Sequence, residues 1–117
     1  MVLGAGLAGV CAAVRASRDG ANVALIDRRS TLGGRVCGDS RMPLEDGPNP
    51  NFIYQREGGL MDEIYSVLLR ENLEGTYAGQ SRALKSWILD ETRLKLFLGI
   101  YAYQSNLNEI GDKIESL

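Results

Sequence analysis

The chain contains no histidine in its 117 residues. Serine–histidine–aspartate and cysteine–histidine catalysis, imidazole metal ligation and histidine pH switching are therefore excluded within it. Cysteine is nearly as scarce: Cys11 and Cys37 are too few for a four-thiolate zinc site or a dense disulfide framework. Neither sign of charge dominates, since 13 basic residues face 15 acidic ones, for a formal charge of −2 and a pI near 5.1. The concentrated positive field that nucleic-acid or polybasic membrane-surface binding requires is missing. No uncharged apolar run approaches the ~20 residues that span a bilayer. The apolar stretch from Met1 to Val14 has no basic flank and its glycines have another explanation, so it does not read as a signal peptide. With no secretory signal and two unpaired thiols, a reducing cytoplasm is the expected setting.

What the chain does have is glycine: 14 residues, about 12% against an average near 7%. Met1-Val2-Leu3 is a stub of apolar strand that runs into Gly4-Ala5-Gly6-Leu7-Ala8-Gly9, and a helix is predicted from Leu7 to Arg18. Asp19-Gly20 ends that helix, and Val23-Ala24-Leu25-Ile26 suits a strand buried on both faces of a parallel sheet. Strand, glycine turn, helix and strand make a βαβ unit. Within it, Gly4 permits the tight turn, Gly6 lets a pyrophosphate approach the backbone, and Gly9 lets the helix lie close to the strands. The helix N-terminus, around Gly6, Leu7 and Ala8, then offers N–H groups and a positive dipole end to phosphates. Asp27 closes the second strand, where a carboxylate can accept hydrogen bonds from the ribose hydroxyls of an adenosine. Arg28 and Arg29 follow. They could neutralise a 2′-phosphate, which would suggest NADP, but the acidic Asp27 opposes that and favours solvated or pyrophosphate-facing arginines.

Further on, Pro43, Gly47, Pro48 and Pro50 mark an irregular stretch over residues 35–56. A second helix is predicted from Leu60 to Glu71, with Leu60, Ile64 and Leu68 on one face and Asp62, Glu63 and Arg70 toward water. A third is predicted from Arg82 to Glu91 with Ser81 as its cap. From Leu94 to Tyr103 the pattern alternates as in a strand, Ser105-Asn106 and Gly111 read as a loop, and Lys113 to Leu117 as a returning strand. The aromatics Tyr54, Tyr65, Tyr77, Trp87, Tyr101 and Tyr103 read as packing residues. Asp62, Glu63, Asp90 and Glu91 read as solvated charges and not as an acid–base pair. No metal site and no catalytic residue is assigned.

Three signals in order carry a resemblance: Val2 to Gly9, then Ala24-Leu25-Ile26-Asp27-Arg28-Arg29, then Thr31-Leu32-Gly33-Gly34-Arg35. Together they resemble FAD-dependent oxidoreductases of the glutathione-reductase-type superfamily, strongly over residues 1–36 and loosely over 37–117. Asp39-Ser40-Arg41-Met42, Arg56 to Ile64 and Leu94 to Ala102 are similar to a bacterial branch of such oxidoreductases. The resemblance implies an α/β fold: a Rossmann-like FAD/NAD(P)-binding βαβ sheet with an added helical segment and a C-terminal β-hairpin. It implies that the main chain at Gly6, Leu7 and Ala8 holds the FAD pyrophosphate. Asp27 would bind the ribose, Gly33, Gly34 and Arg35 would pack along the same AMP half, and Ala102 would lie on a strand meeting the adenine edge. Disulfide reductases of the superfamily place two cysteines, five apart, after the glycine doublet. Here Cys37 stands alone, with Arg41 or Met42 where its partner would be, so a dithiol mechanism is not expected. The resemblance also implies a single, incomplete FAD-binding domain over 1–117, an N-terminal fragment of a longer enzyme that is inactive alone and self-associates through exposed apolar surface. An NAD(P)-binding module and a non-catalytic Rossmann-like interaction domain are the alternatives.

Overall fold

The computed structural model describes residues 1–38, 40, 42–44, 58–107, 110 and 114–116. The elements run β1 (Val2–Leu3), α1 (Leu7–Arg18), β2 (Val23–Asp27), α2 (Leu60–Glu71), α3 (Tyr77–Leu89), β3 (Leu94–Leu98), β4 (Asn106–Leu107) and β5 (Ile114–Ser116). β1, β2 and β3 form a parallel sheet with β2 in the centre. Register pairs Val2 with Leu25, Val23 with Leu94, and Asp27 with Leu98. The fold class is therefore the α/β one expected, with a Rossmann-like βαβ start.

β2 alternates between buried Val23, Leu25 and Asp27 and half-buried Ala24 and Ile26, which is what a central strand with one helix-covered face should show. That covered face receives Val10, Ala13 and Val14 of α1, all fully buried. Ile64 of α2 and Leu84 and Ile88 of α3 complete the core, and burying each side chain of this size contributes about 1.5–3 kcal/mol. At the far end of α1, Arg18 ties the helices together. It donates to both Glu63 carboxylate oxygens at 2.7 and 2.8 Å and to Glu91 Oε1 at 2.8 Å, with its guanidinium 5.8 Å from the Trp87 ring centre. Glu63 and Glu91 are thus engaged with Arg18 and are not the purely solvated charges expected. The pairing holds the Glu63 carboxyl below, and the Arg18 guanidinium above, its ordinary range.

Three local expectations need correction. α3 begins at Tyr77, not Arg82, because Thr76 caps it by accepting the Gly79 N–H at 3.0 Å; Ser81 lies inside the helix. A Cβ at Gly79 would collide with the Asn72 side chain, so this helix-weakening residue is required by the tight entry turn. β3 stops at Leu98, not Tyr103, since Gly99 takes a left-handed φ of +74°. The C-terminal hairpin pairs β5 with Asn106–Leu107, so Asn106, expected in a loop, is strand. The expectations for Asp39, Arg41, Gly47, Pro48, Pro50, Tyr54, Arg56, Glu57, Gly111, Lys113 and Leu117 lie outside the described residues.

Candidate functional site

The site is built where β1 turns into α1. Gly4 adopts φ +100° and donates its N–H to the Ile26 carbonyl at 2.7 Å, so the turn is tied to β2. Gly9 brings α1 onto that turn: a Cβ there would overlap the Gly4 carbonyl oxygen and lie 3.0 Å from its carbon. Gly6 is different. It caps α1 with φ −68° and ψ 172°, which any residue adopts, and a Cβ on it would meet nothing within 4 Å. Having no side chain, it leaves the mouth of the helix open, where the first-turn amides need partners from outside the helix. Leu7 packs its side chain against the core while Ala8 is exposed.

The second glycine pair lies against the first turn. Gly33 and Gly34 take φ of +89° and +58°, a succession that side chains resist. Gly33 donates its N–H to the Ala5 carbonyl at 2.8 Å, and a Cβ on Gly34 would come 3.0 Å from Gly6 Cα. The two glycine motifs, far apart in sequence, thus form one wall.

Asp27 is buried at 7% exposure at the end of β2. Its Oδ2 accepts the Ala5 N–H at 2.6 Å and its Oδ1 the Arg29 N–H at 2.8 Å. The carboxylate therefore stitches the glycine turn to the strand end, a duty that sequence reasoning did not assign to it. It also lines a cleft of about 370 Å³ with Leu3, Gly4, Arg28, Tyr101 and Ala102, a size within the ~300–1,000 Å³ of small-molecule sites. Ala102 reaches this cleft not from a strand, as expected, but from the crossing that follows Gly99. The Gly99 and Ile100 N–H groups bond the Arg29 and Asp27 carbonyls, each at 3.1 Å. A neighbouring cleft of about 520 Å³ is polar and basic, lined by Arg28, Arg29, Thr31, Gly34, Arg35 and Ser40 among others. Arg28 and Arg29 border both clefts. All eleven residues singled out in the sequence lie on this one edge of the sheet or in the first turns of α1. Ile100 and Tyr101 join them, from the same stretch as Ala102 that the resemblance sets at the adenine edge.

The thiols take no visible part. Burial pushes Cys37 up to about 11 and raises Cys11 as well, so both are protonated at neutral pH. Cys37 packs beneath Gly33, where a Cβ would strike its sulfur. Among the described residues no cluster of His, Cys, Asp or Glu is placed to hold a metal ion, and no helix is long and apolar enough to cross a membrane.

These features fit a dinucleotide: an open helix mouth for a diphosphate, a half-apolar cleft for an adenosine, and flanking arginines. Comparison with curated proteins and with solved structures gives no match. The family model for FAD-dependent oxidoreductases matches residues 1–108, and the chain belongs to that family, whose cofactor is FAD.

Proposed function

We propose that this chain holds the adenosine-diphosphate half of FAD, in the manner of the glutathione-reductase-type oxidoreductases. The observation that carries this reading is Gly6. Neither its backbone angles nor its neighbours account for a glycine, and its bare main chain leaves open space in which a diphosphate can approach from outside. The main chain at Gly6, Leu7 and Ala8 receives the diphosphate at the positive end of α1, with Gly4 and Gly9 shaping the turn beneath it. Gly34 and Arg35 line the diphosphate side, and Arg28 and Arg29 stand between the two clefts and neutralise its charge. The adenosine occupies the smaller cleft, where Asp27 faces the ribose and Ala102 the adenine edge. FAD, when bound, supplies the electron-accepting chemistry. This chain's residues bind and orient its adenosine end.

Competition at equilibrium tests the proposal. ADP should displace FAD from the purified chain, whereas FMN, which carries the flavin and one phosphate but no adenosine, should not. Displacement by FMN with no effect of ADP would overturn it.

A further inference from the structure

Gly33 and Gly34 wall the diphosphate side of the site, yet neither has a side chain to fix its own position. Their turn is held from two directions. On the site's side, Gly33 donates to the Ala5 carbonyl. On the other, the N–H of the preceding residue, Leu32, donates to Ser81 Oγ at 2.9 Å in a buried hydrogen bond spanning 49 residues. Leu32 is 1% exposed and Ser81 8%, so water cannot replace that bond. A serine inside a helix usually faces solvent or bonds its own helix backbone. Here the hydroxyl instead accepts from a loop belonging to the cofactor site. α3 supplies the rest of the support: a Cβ on Gly33 would come 3.1 Å from Leu84 Cδ1, and the Cys37 sulfur that packs under Gly33 lies 3.9 Å from Gln80 Oε1.

We infer that Ser81 is a positioning residue for the diphosphate side of the FAD site, acting from α3 through the Leu32 amide. This rests on the adenosine-diphosphate reading above and adds to it a residue on an element that contributes nothing to the lining of either cleft. Loss of the Ser81 acceptor lets the Leu32–Gly34 turn seek another partner and slackens its contact with Gly6. The adenosine cleft is fixed by β2 and the residue 99–102 crossing, so it should be spared.

The test compares ADP and adenosine, each in competition with FAD on the full chain. Ser81→Ala should weaken ADP and FAD by about tenfold while changing adenosine by less than about twofold. Ser81→Thr, which keeps the acceptor, should recover ADP affinity to near wild type. Ser81→Cys, with a thiol of similar shape but weaker accepting power, should fall between them and serves if the alanine variant does not fold. Ile88→Val on the same helix should lower the melting temperature and leave both affinities unchanged. A merely structural serine would change ADP and adenosine alike, or neither; either result overturns the positioning role while leaving the cofactor site intact. A wild-type chain that binds neither FAD nor ADP overturns the underlying reading, and the role of Ser81 with it.

Discussion

Gly6 and Gly9 belong to one motif but are glycines for different physical reasons, and Gly6→Ala and Gly9→Ala separate them. At Gly9 a methyl group would overlap the Gly4 carbonyl oxygen, and neither partner is a flexible side chain. Relief requires the first turn of α1 to move off β1 on the order of 1 Å, which puts the variant near the upper end of overpacking penalties, about 3 kcal/mol. For a chain of this size that is a fall in melting temperature of about 12 °C. At Gly6 the added methyl meets nothing within 4 Å, and its backbone angles suit alanine. Only the poorer N-cap counts against it, at about 0.5 kcal/mol or ~2 °C. The methyl would, however, stand where the proposed diphosphate approaches. Losing one charge-assisted hydrogen bond and stretching a second removes about 2–3 kcal/mol, so FAD affinity should fall about 100-fold. Thermal melts followed by circular dichroism, paired with FAD titrations read by flavin fluorescence, measure both quantities on the same samples. Near-wild-type FAD affinity in Gly6→Ala, or a melting temperature as low as that of Gly9→Ala, would refute the distinction.

Two further perturbations address the frame around the site. Arg18→Ala removes a bidentate pair, a second carboxylate contact and a ring contact at once; with Arg18 and Glu63 partly exposed and Glu91 more buried, urea unfolding should register a loss of about 1–2 kcal/mol. Because Arg18 lowers the Glu63 carboxyl from its ordinary 4.5, that contribution is complete above this value and fades as pH falls through the lowered one. Arg18→Ala should flatten the acid limb of the stability profile, and an unchanged slope there would dismiss the pairing. Asp27→Ala leaves the Ala5 and Arg29 amides without their acceptor, so it should cost about 2–4 kcal/mol of stability in addition to FAD affinity. A wild-type melting curve would show that the carboxylate does not stitch the turn.

How much of this was legible in the sequence depends on how local the cause is. The extents of Leu7–Arg18 and Leu60–Glu71 were readable, because apolar spacing, small residues and a flanking Gly20 or Gly59 sit within a few positions of one another. The start of α3 was not. Gly79 argues against a helix by propensity, and only the folded entry turn, with Asn72 pressed against it, shows why glycine stands there. Ser81 is the sharper case. In the sequence it looks like a cap, since serine before an apolar helical run usually is one. Its partner is an amide 49 residues earlier, and no local pattern encodes that distance. Asp27 was legible as a carboxylate at a strand end, but its two main-chain partners were not, because they depend on how closely the β1 turn lies over β2.

Ala102 shows a different relation between sequence and site. The strand on which it was placed ends four residues too early, yet Ala102 still lines the adenosine-sized cleft. The reason is topological. In an open parallel sheet, ligands bind outside the carboxyl ends of the strands. β1, β2 and β3 all point their carboxyl ends at the same edge, where Leu3, Asp27 and Leu98 stand. A chain that leaves β3 through a left-handed glycine and bonds back to the Asp27 and Arg29 carbonyls must cross that edge. The cleft is therefore specified by strand direction and by one turn at Gly99, while the open glycine at position 6 lies outside its lining, at the mouth of α1. On the proposed reading, a substitution that moves the crossing, such as one at Gly99, should weaken adenosine, and one at Gly6 should weaken the diphosphate.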